Sequence, residues 1–469
     1  MRWTDYPKWG TWAADWAARY HAGLRDKPVR AQVKPGATLA ALPMLAPDAP
    51  EPMDAILADF EAIIMPGITH WQHPRFFAYF PSNAAPASVL ADQLVAAISP
   101  QCMLWQTSPS ATELETRMMD WLRQGIGLPD VFQGVIQDSA STATLAAVLT
   151  MRERALDWAG NRDGLSGQPR LRVYASVEVH SSVDRAIWIA GVGQENLVRI
   201  PTHGPLRAMD PAALAAQIAA DRAAGFLPAG VIACTGGTGT GACDDIAAVC
   251  AVAQAEGLYV HVDAAWAGAA MICPDYRHLW AGVDMADSVV LNPHKWLGTQ
   301  FDLSAHFIRD PGALTRTLAI QPEYLKTHGA DGIINYSEWS VPLGRRFRAL
   351  KLWFLLRAYG MDGLRGMIRN HVTWAETLAE HIRATPGFRI VTEPVLSLFT
   401  FQYAPAGKDA DALTLALVQA VNDDGRIYLT QTRVNGVLVI RFQAGQFDAT
   451  EADVMTVHTV LTELAARLE

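Results

Sequence analysis

Half of the 469 residues are hydrophobic, 18% are charged, and the formal net charge is −9. Such a chain has material for two or three packed domains, and its mild acidity excludes a charge-driven affinity for nucleic acid or an anionic membrane surface. The N-terminus "MRWTDYPKWG" has no apolar h-region, and no window of about 20 residues is free of charges and breakers, so neither a secretory leader nor a membrane span is expected.

In chain order, "TWAADWAARYHAGL" and "MDAILADFEAIIM" carry apolar residues at three- and four-residue spacing and flank a Pro-rich linker. Each helix alone would expose an apolar stripe, so both are expected to pack on another domain or another subunit. From about Phe80 to Leu352, helical stretches alternate with "GVIQD", "RVYASV", "LVRIP", "AGVIACT", "LYVHVDAA" and "DSVVLN". Most of these are apolar on consecutive residues, which suits parallel strands covered on both faces. After "RALKLWFLLRAYG", ending at Gly360, "FRIVTEPVLSLFTFQY" and "RIYLTQTRVNGVLVIRF" resemble antiparallel strands, with Asn435-Gly436 as a hairpin turn. The expected organisation is α/β: an N-terminal helical segment (1–79), a large domain with a mostly parallel sheet (80–352) and a small α+β domain (353–469). Cys102, Cys234, Cys243, Cys250 and Cys273 are odd in number and form no CxxC pair, which fits a reduced, cytoplasmic protein without a metal site.

One window imitates a dinucleotide site. A strand leads into Gly237-x-Gly239-x-x-Ala242, then a helix, then a strand ending in Asp263, the loose Rossmann pattern. Its mid-chain position and the acids Asp244 and Asp245 at the helix start count against NAD. Those acids suit the helix dipole but would repel a pyrophosphate. A small-residue turn between packed elements is the better account.

Asp263 ends one apolar strand, and Lys295, in "NPHKW", follows another. In an open α/β sheet that is the ligand-binding edge. A plain Asp–Lys salt bridge, or a lysine on a surface loop, explains them as simply. Pyridoxal phosphate (PLP) would use both: a lysine amine forms a Schiff base with its aldehyde, and an aspartate keeps its pyridine nitrogen protonated. "QDSASTATL" offers a helix start for the phosphate at Ser139, Ala140 and Ser141. Thr238 and His294 are further donors, and His180 in "EVHSSVDRA" offers a flat ring.

At this point the chain resembles the PLP-dependent group II amino-acid decarboxylases, and within them the aromatic-L-amino-acid decarboxylases. The resemblance runs through "IIMPGITHWQHPRFFAYFP", "SPSATELETRMMDWL", "HSSVDRA", "HVDAAWAGAAMICPDYRHLW", "NPHKW" and "VPLGRRFRALKLWF". It implies a fold-type I enzyme and an obligate homodimer. It makes Lys295 the Schiff-base lysine, Asp263 the pyridinium partner and His180 the stacking ring. Ala140, Ser141, Thr238, Ala265, Asn292 and His294 become phosphate and cofactor contacts. Tyr336, in "GADGIINYSEWSVPLG", matches a proton-donating tyrosine on a mobile lid. Trp71, Tyr79, Phe80, Pro81, Ser82 and Met103 match the side-chain pocket, partly supplied across the dimer interface. Gly344 matches a position where some relatives carry glycine and favour indoles. The implied reaction is decarboxylation of L-tryptophan, or of tyrosine, DOPA, phenylalanine or 5-hydroxytryptophan, to the arylethylamine. The alternative is an aromatic aldehyde synthase. Three departures stand out: Trp266 where tyrosine is common, Asp138 where glycine is usual, and Ser82 for a frequent threonine.

Overall fold

The computed structural model describes residues 1–320 and 332–468, which divide into two compact units. The larger holds residues 82–373 and 392–399. Its strands are β1 Gln133–Gln137, β2 Leu171–Ser176, β3 Leu197–Ile200, the two-residue pair β4 Thr202–His203 and β5 Ala208–Met209, β6 Leu227–Cys234, β7 Tyr259–Asp263, β8 Ser288–Leu291 and β9 Ser304–Ile308. Seven form one sheet in the order β1-β9-β8-β7-β6-β2-β3. The run from β8 to β3 is parallel, and β9 lies antiparallel between β8 and β1. Two reversals leave β1 running in the sense of β8. The fold class expected from the alternating pattern is the one found.

Burial explains the apolar runs. Every residue of β7, β8 and β9 is buried. The helix Ala140–Ala155 packs against the sheet through Ala147, Val148 and Met151, which join Val173, Ala175 and Ile232 in one cluster. At about 25 cal/mol per Å² of apolar surface, such packing is the main stabilising term of this unit. Strand β9 was not foreseen: "SAHFI" puts Ser304 and His306 at positions a buried strand normally fills with aliphatics. The helix Ala349–Ala384 breaks at Gly360 (φ 65, ψ 162), where the sequence predicts a helix end.

The second unit comprises residues 1–81, 374–391 and 400–469. The strands β10 Phe388–Val395, β11 Leu398–Tyr403, β12 Thr430–Val434 and β13 Val437–Gln443 lie in the order β10-β11-β13-β12. The β12–β13 pair is antiparallel and turns at Asn435 and Gly436, both with positive φ (51 and 84), as a type I′ hairpin requires. The helix Glu451–Ala465 opens with a capping box between Thr450 and Asp453, and Arg25 and Arg75 pair with that same aspartate. No helix among the described residues is long and apolar enough to cross a membrane.

Candidate active site

A parallel strand delivers its last residue to one edge of the sheet, so side chains distant in sequence collect there. β1 leads to Asp138–Ser141, β2 to His180, β6 to Thr238, β7 ends on Asp263, and β8 leads to Asn292 and Lys295. Backbone bonds knit this edge: Ala264 N donates to Val290 O at 3.0 Å, Asn292 N to Ala265 O at 2.8 Å, and Thr235 N to Asp263 O at 3.0 Å. Asp263 is 7% exposed, and its Oδ1 accepts from Ala265 N at 3.0 Å. A buried carboxylate so lightly bonded still needs a cationic or donor partner.

Lys295 sits in the π-helical turn Pro293–Leu297, closed by Gly298 at φ 109. Asn83 pins that turn: its N donates to His294 O at 3.0 Å and its Nδ2 to Lys295 O at 2.6 Å. Nothing in "PSNAAP" signals that role. His294 accepts Leu303 N–H on Nδ1 at 2.9 Å, and burial drops its pKa to about 3. It is therefore neutral, with the proton on Nε2 as a remaining donor. His180 accepts Ser182 N–H on Nδ1 at 3.1 Å. Its pKa is lowered, chiefly by burial; Asp263 raises it and Lys295 lowers it, so all three groups act on one cleft.

The phosphate-cradle candidates also gather. Ala140 packs with Ala143, Val290 and Ala265. Ser139 caps the helix by accepting from Thr142 N at 3.3 Å. The N–H groups of Ala140 and Ser141, in the first turn, have no intrahelical acceptor. Asp138 turns back onto that same turn, accepting the Ser139 hydroxyl at 3.0 Å and the Thr142 hydroxyl at 2.5 Å. Trp266 is buried and stacks on Trp296 at 5.1 Å; Trp296 in turn donates to His371 Nδ1 at 2.9 Å.

Tyr336 is buried: it is 2% exposed, packed with Val135, Ala146, Ile308, Leu314 and Trp339. Its hydroxyl is bonded to Thr116 Oγ1 at 2.9 Å, and burial raises its pKa. The resemblance implies a mobile lid, and the ring here belongs to an apolar cluster. Residues 329–331, the start of the expected lid, lie outside the described residues.

The pocket candidates fall in both units. Trp71, Tyr79, Phe80 and Pro81 belong to the second, where Trp71 stacks on Tyr79 at 6.0 Å and the Arg441 guanidinium lies over Phe80 at 4.5 Å. Ser82, Met103 and Gly344 belong to the first. There Ser337 N donates to Met103 O at 3.0 Å and Cys102 N to Arg345 O at 3.0 Å, so the segments bearing Met103 and Gly344 are adjacent.

A family model, the pyridoxal-dependent decarboxylase conserved domain, matches residues 35–404. The chain belongs to the pyridoxal-dependent decarboxylases. It is 40% identical to the aromatic-L-amino-acid decarboxylase of Sus scrofa, over 94% of this chain and 92% of that one. It is 37% identical to the phenylacetaldehyde synthase of Arabidopsis thaliana, over 98% and 96%. The crystal structure of Oryza sativa TDC with PLP and tryptamine superposes with a TM-score of 0.96 at 34% identity, covering 100% of this chain and 99% of that one. As in the rest of this decarboxylase family, the cofactor is pyridoxal phosphate. The residues here fit it: an amine, a buried carboxylate, free first-turn N–H groups, and the buried Thr235 Oγ1 and Asn292 Oδ1, which have no hydrogen-bond partner among the described residues. The Gly-rich turn is closed by its own acids instead of a dinucleotide. Asp244 accepts Cys234 N–H at 2.7 Å and Met209 N–H at 2.6 Å, and Asp245 caps the next helix.

Proposed function

We propose that this decarboxylase converts aromatic L-amino acids to arylethylamines and CO2, with L-tryptophan to tryptamine first, and tyrosine, DOPA, phenylalanine and 5-hydroxytryptophan as other substrates. The observation that carries it is the convergence of Lys295, Asp263 and His180 at the C-terminal edge of the parallel strands β8, β7 and β2. The tryptamine in the rice structure and the pig relative support the aromatic class.

When bound, pyridoxal phosphate supplies a conjugated ring that accepts the electron pair left at Cα by departing CO2. In this reading Lys295 would hold the cofactor, Asp263 would keep a proton on its ring nitrogen, and His180 would cover one face of the ring. The N–H groups of Ala140 and Ser141, the Thr238 hydroxyl and His294 Nε2 take the phosphate, with Ala265 and Asn292 alongside. The resemblance assigns Trp71, Tyr79, Phe80, Pro81, Ser82, Met103 and Gly344 to the pocket for the substrate side chain, partly supplied across the dimer interface.

The working form in this proposal is a cytoplasmic homodimer. The helix Pro86–Ile98 exposes Leu90, Leu94 and Ile98 along one stripe, and the helix Tyr6–Ala22 buries none of its residues. Single surfaces of that kind are stabilised by a second copy. All five cysteines are free and buried, in keeping with a reducing compartment.

The second reading, an aldehyde synthase, is favoured by the burial of Tyr336, whose hydroxyl is bonded to Thr116, and by the Arabidopsis relative. It consumes one O2 and one water per amino acid and yields aldehyde, CO2, ammonia and hydrogen peroxide. Measuring amine, CO2, aldehyde and peroxide together under air decides between them. Amine with no oxygen uptake is the expected result, and stoichiometric uptake refutes it.

A further inference from the structure

Between β3 and β6 the chain makes the small β4–β5 hairpin, and Arg207 in its turn has a φ of 51, in the left-handed region. A bulky residue there is strained and persists only where surrounding contacts hold it. The Arg207 side chain reaches the segment before His180: Nε donates to Glu178 Oε1 at 2.8 Å, and Nη2 stands 2.6 Å from the same oxygen. The pair is 19% and 10% exposed at its side chains. The other carboxylate oxygen, Oε2, accepts the Thr240 hydroxyl at 2.9 Å, and Thr240 is buried in the Gly-rich turn two residues after Thr238. Two further hydrogen bonds bind hairpin to turn: Cys243 N donates to Leu206 O at 3.0 Å, and Met209 N donates to the Asp244 carboxylate oxygen Oδ1 at 2.6 Å. The packing leaves no slack, because a Cβ on Gly237 would lie 3.1 Å from Glu178 O.

We infer that Glu178 and Arg207 are positioning residues, whose ion pair with the Thr240 hydroxyl holds the His180 loop and the Thr238 turn at the separation the cofactor requires. One carboxylate thus serves as a junction of three segments. Its first oxygen takes the hairpin, its second takes the Gly-rich turn, and its own backbone carries His180 two residues on. Charge-assisted, doubly engaged carboxylates are among the stronger hydrogen-bonded groups, and the shielding here keeps solvent from replacing them. Neither residue touches the reacting atoms. This inference rests on the cofactor reading above.

The test compares unmodified protein, Glu178→Ala, Glu178→Gln, Thr240→Val and the Glu178→Ala/Thr240→Val double variant. For each, three quantities are read: the pyridoxal phosphate Kd by quenching of tryptophan fluorescence, the circular dichroism of the bound cofactor, and the apoprotein Tm. Loss of a charge-assisted bond predicts a Kd raised about tenfold in Glu178→Ala. Thr240→Val is expected to raise it several-fold, and Glu178→Gln to restore most of the affinity. The double variant should be no worse than Glu178→Ala, because both changes break the same junction. Cofactor dichroism, which reports ring orientation, falls in step with affinity. A lowered Tm with unchanged Kd and dichroism overturns the inference, since it leaves only a structural role. Should Glu178→Ala fail to fold, Thr240→Val carries the same decision. Lys295→Ala is the control: if it binds and absorbs as the unmodified protein does, the cofactor reading and the clamp fall together.

Discussion

Replacing His306 with methionine tests how the core of the larger unit is held together. His306 lies in β9, opposite Val290 of β8 and Val135 of β1, and is 0% exposed. Neither ring nitrogen has a hydrogen-bond partner among the described residues. Burial lowers its pKa from 6.5 to about 3. The folded chain therefore keeps this imidazole neutral at a pH where the unfolded chain protonates it. The stability it permits is complete above pH ~6.5 and declines as the pH falls towards the folded value, since a lowered histidine pKa favours proton uptake by the unfolded state. At about pH 5 the unfolded imidazole is some one and a half units below its pKa, and at about 1.4 kcal/mol per unit the loss relative to pH ~8 is about 2 kcal/mol. His261, edge-on to it at 5.8 Å, is also lowered, but Ser288 Oγ at 2.8 Å satisfies one of its nitrogens. His306→Met removes one titrating group and one unsatisfied buried donor, itself costing about 1–3 kcal/mol. The assay is urea unfolding of both proteins, cofactor-loaded and at equal concentration, at about pH 8 and pH 5. Contributions from the other histidines and the cofactor cancel in the difference of differences. The drop between the two pH values should shrink by about 2 kcal/mol in the variant. An equal drop in both proteins refutes the reasoning.

Three further outcomes are expected. Asp263→Asn should retain cofactor but lose about tenfold to a hundredfold in kcat, because a neutral amide no longer favours the protonated ring nitrogen; a near-normal kcat removes the assignment. Tyr336→Phe should cost about 1 kcal/mol of stability through the lost Thr116 bond and leave the amine-to-aldehyde ratio unchanged. A shift to aldehyde and peroxide in Tyr336→Phe would instead assign it the proton-donor role. Gly344→Ser should fold normally, since a Cβ there would meet only Gln101 Nε2, at an ordinary 3.4 Å. It should lower kcat/KM for tryptophan more than for tyrosine, and equal losses on both substrates would contradict the indole preference.

Much of this arrangement is legible in the chain before it folds. Runs such as "GVIAC" and "YVHVD" read as strands because a parallel strand is buried on both faces and must be apolar throughout. Asp263 and Lys295 stand out because charges at the ends of such runs have no place in a core. His180 and Thr238 were candidates on their chemistry alone, whereas the roles of Ala265 and Asn292 came from the resemblance, as no periodicity marks them. β9 escaped notice because His306 and Ser304 break the apolar run, and they are tolerated only where β1 and β8 flank them. The burial of Tyr336 is not legible in its polar neighbours, because it is settled ring by ring against partners as remote as Val135 and Leu314. Glu178, Arg207 and Thr240 form a junction that nothing local announces. Strand direction is a property of the chain, so the edge that collects the active-site residues can be inferred from sequence; which side chains meet across that edge is a property of packing, and only the folded structure brings them within hydrogen-bonding distance.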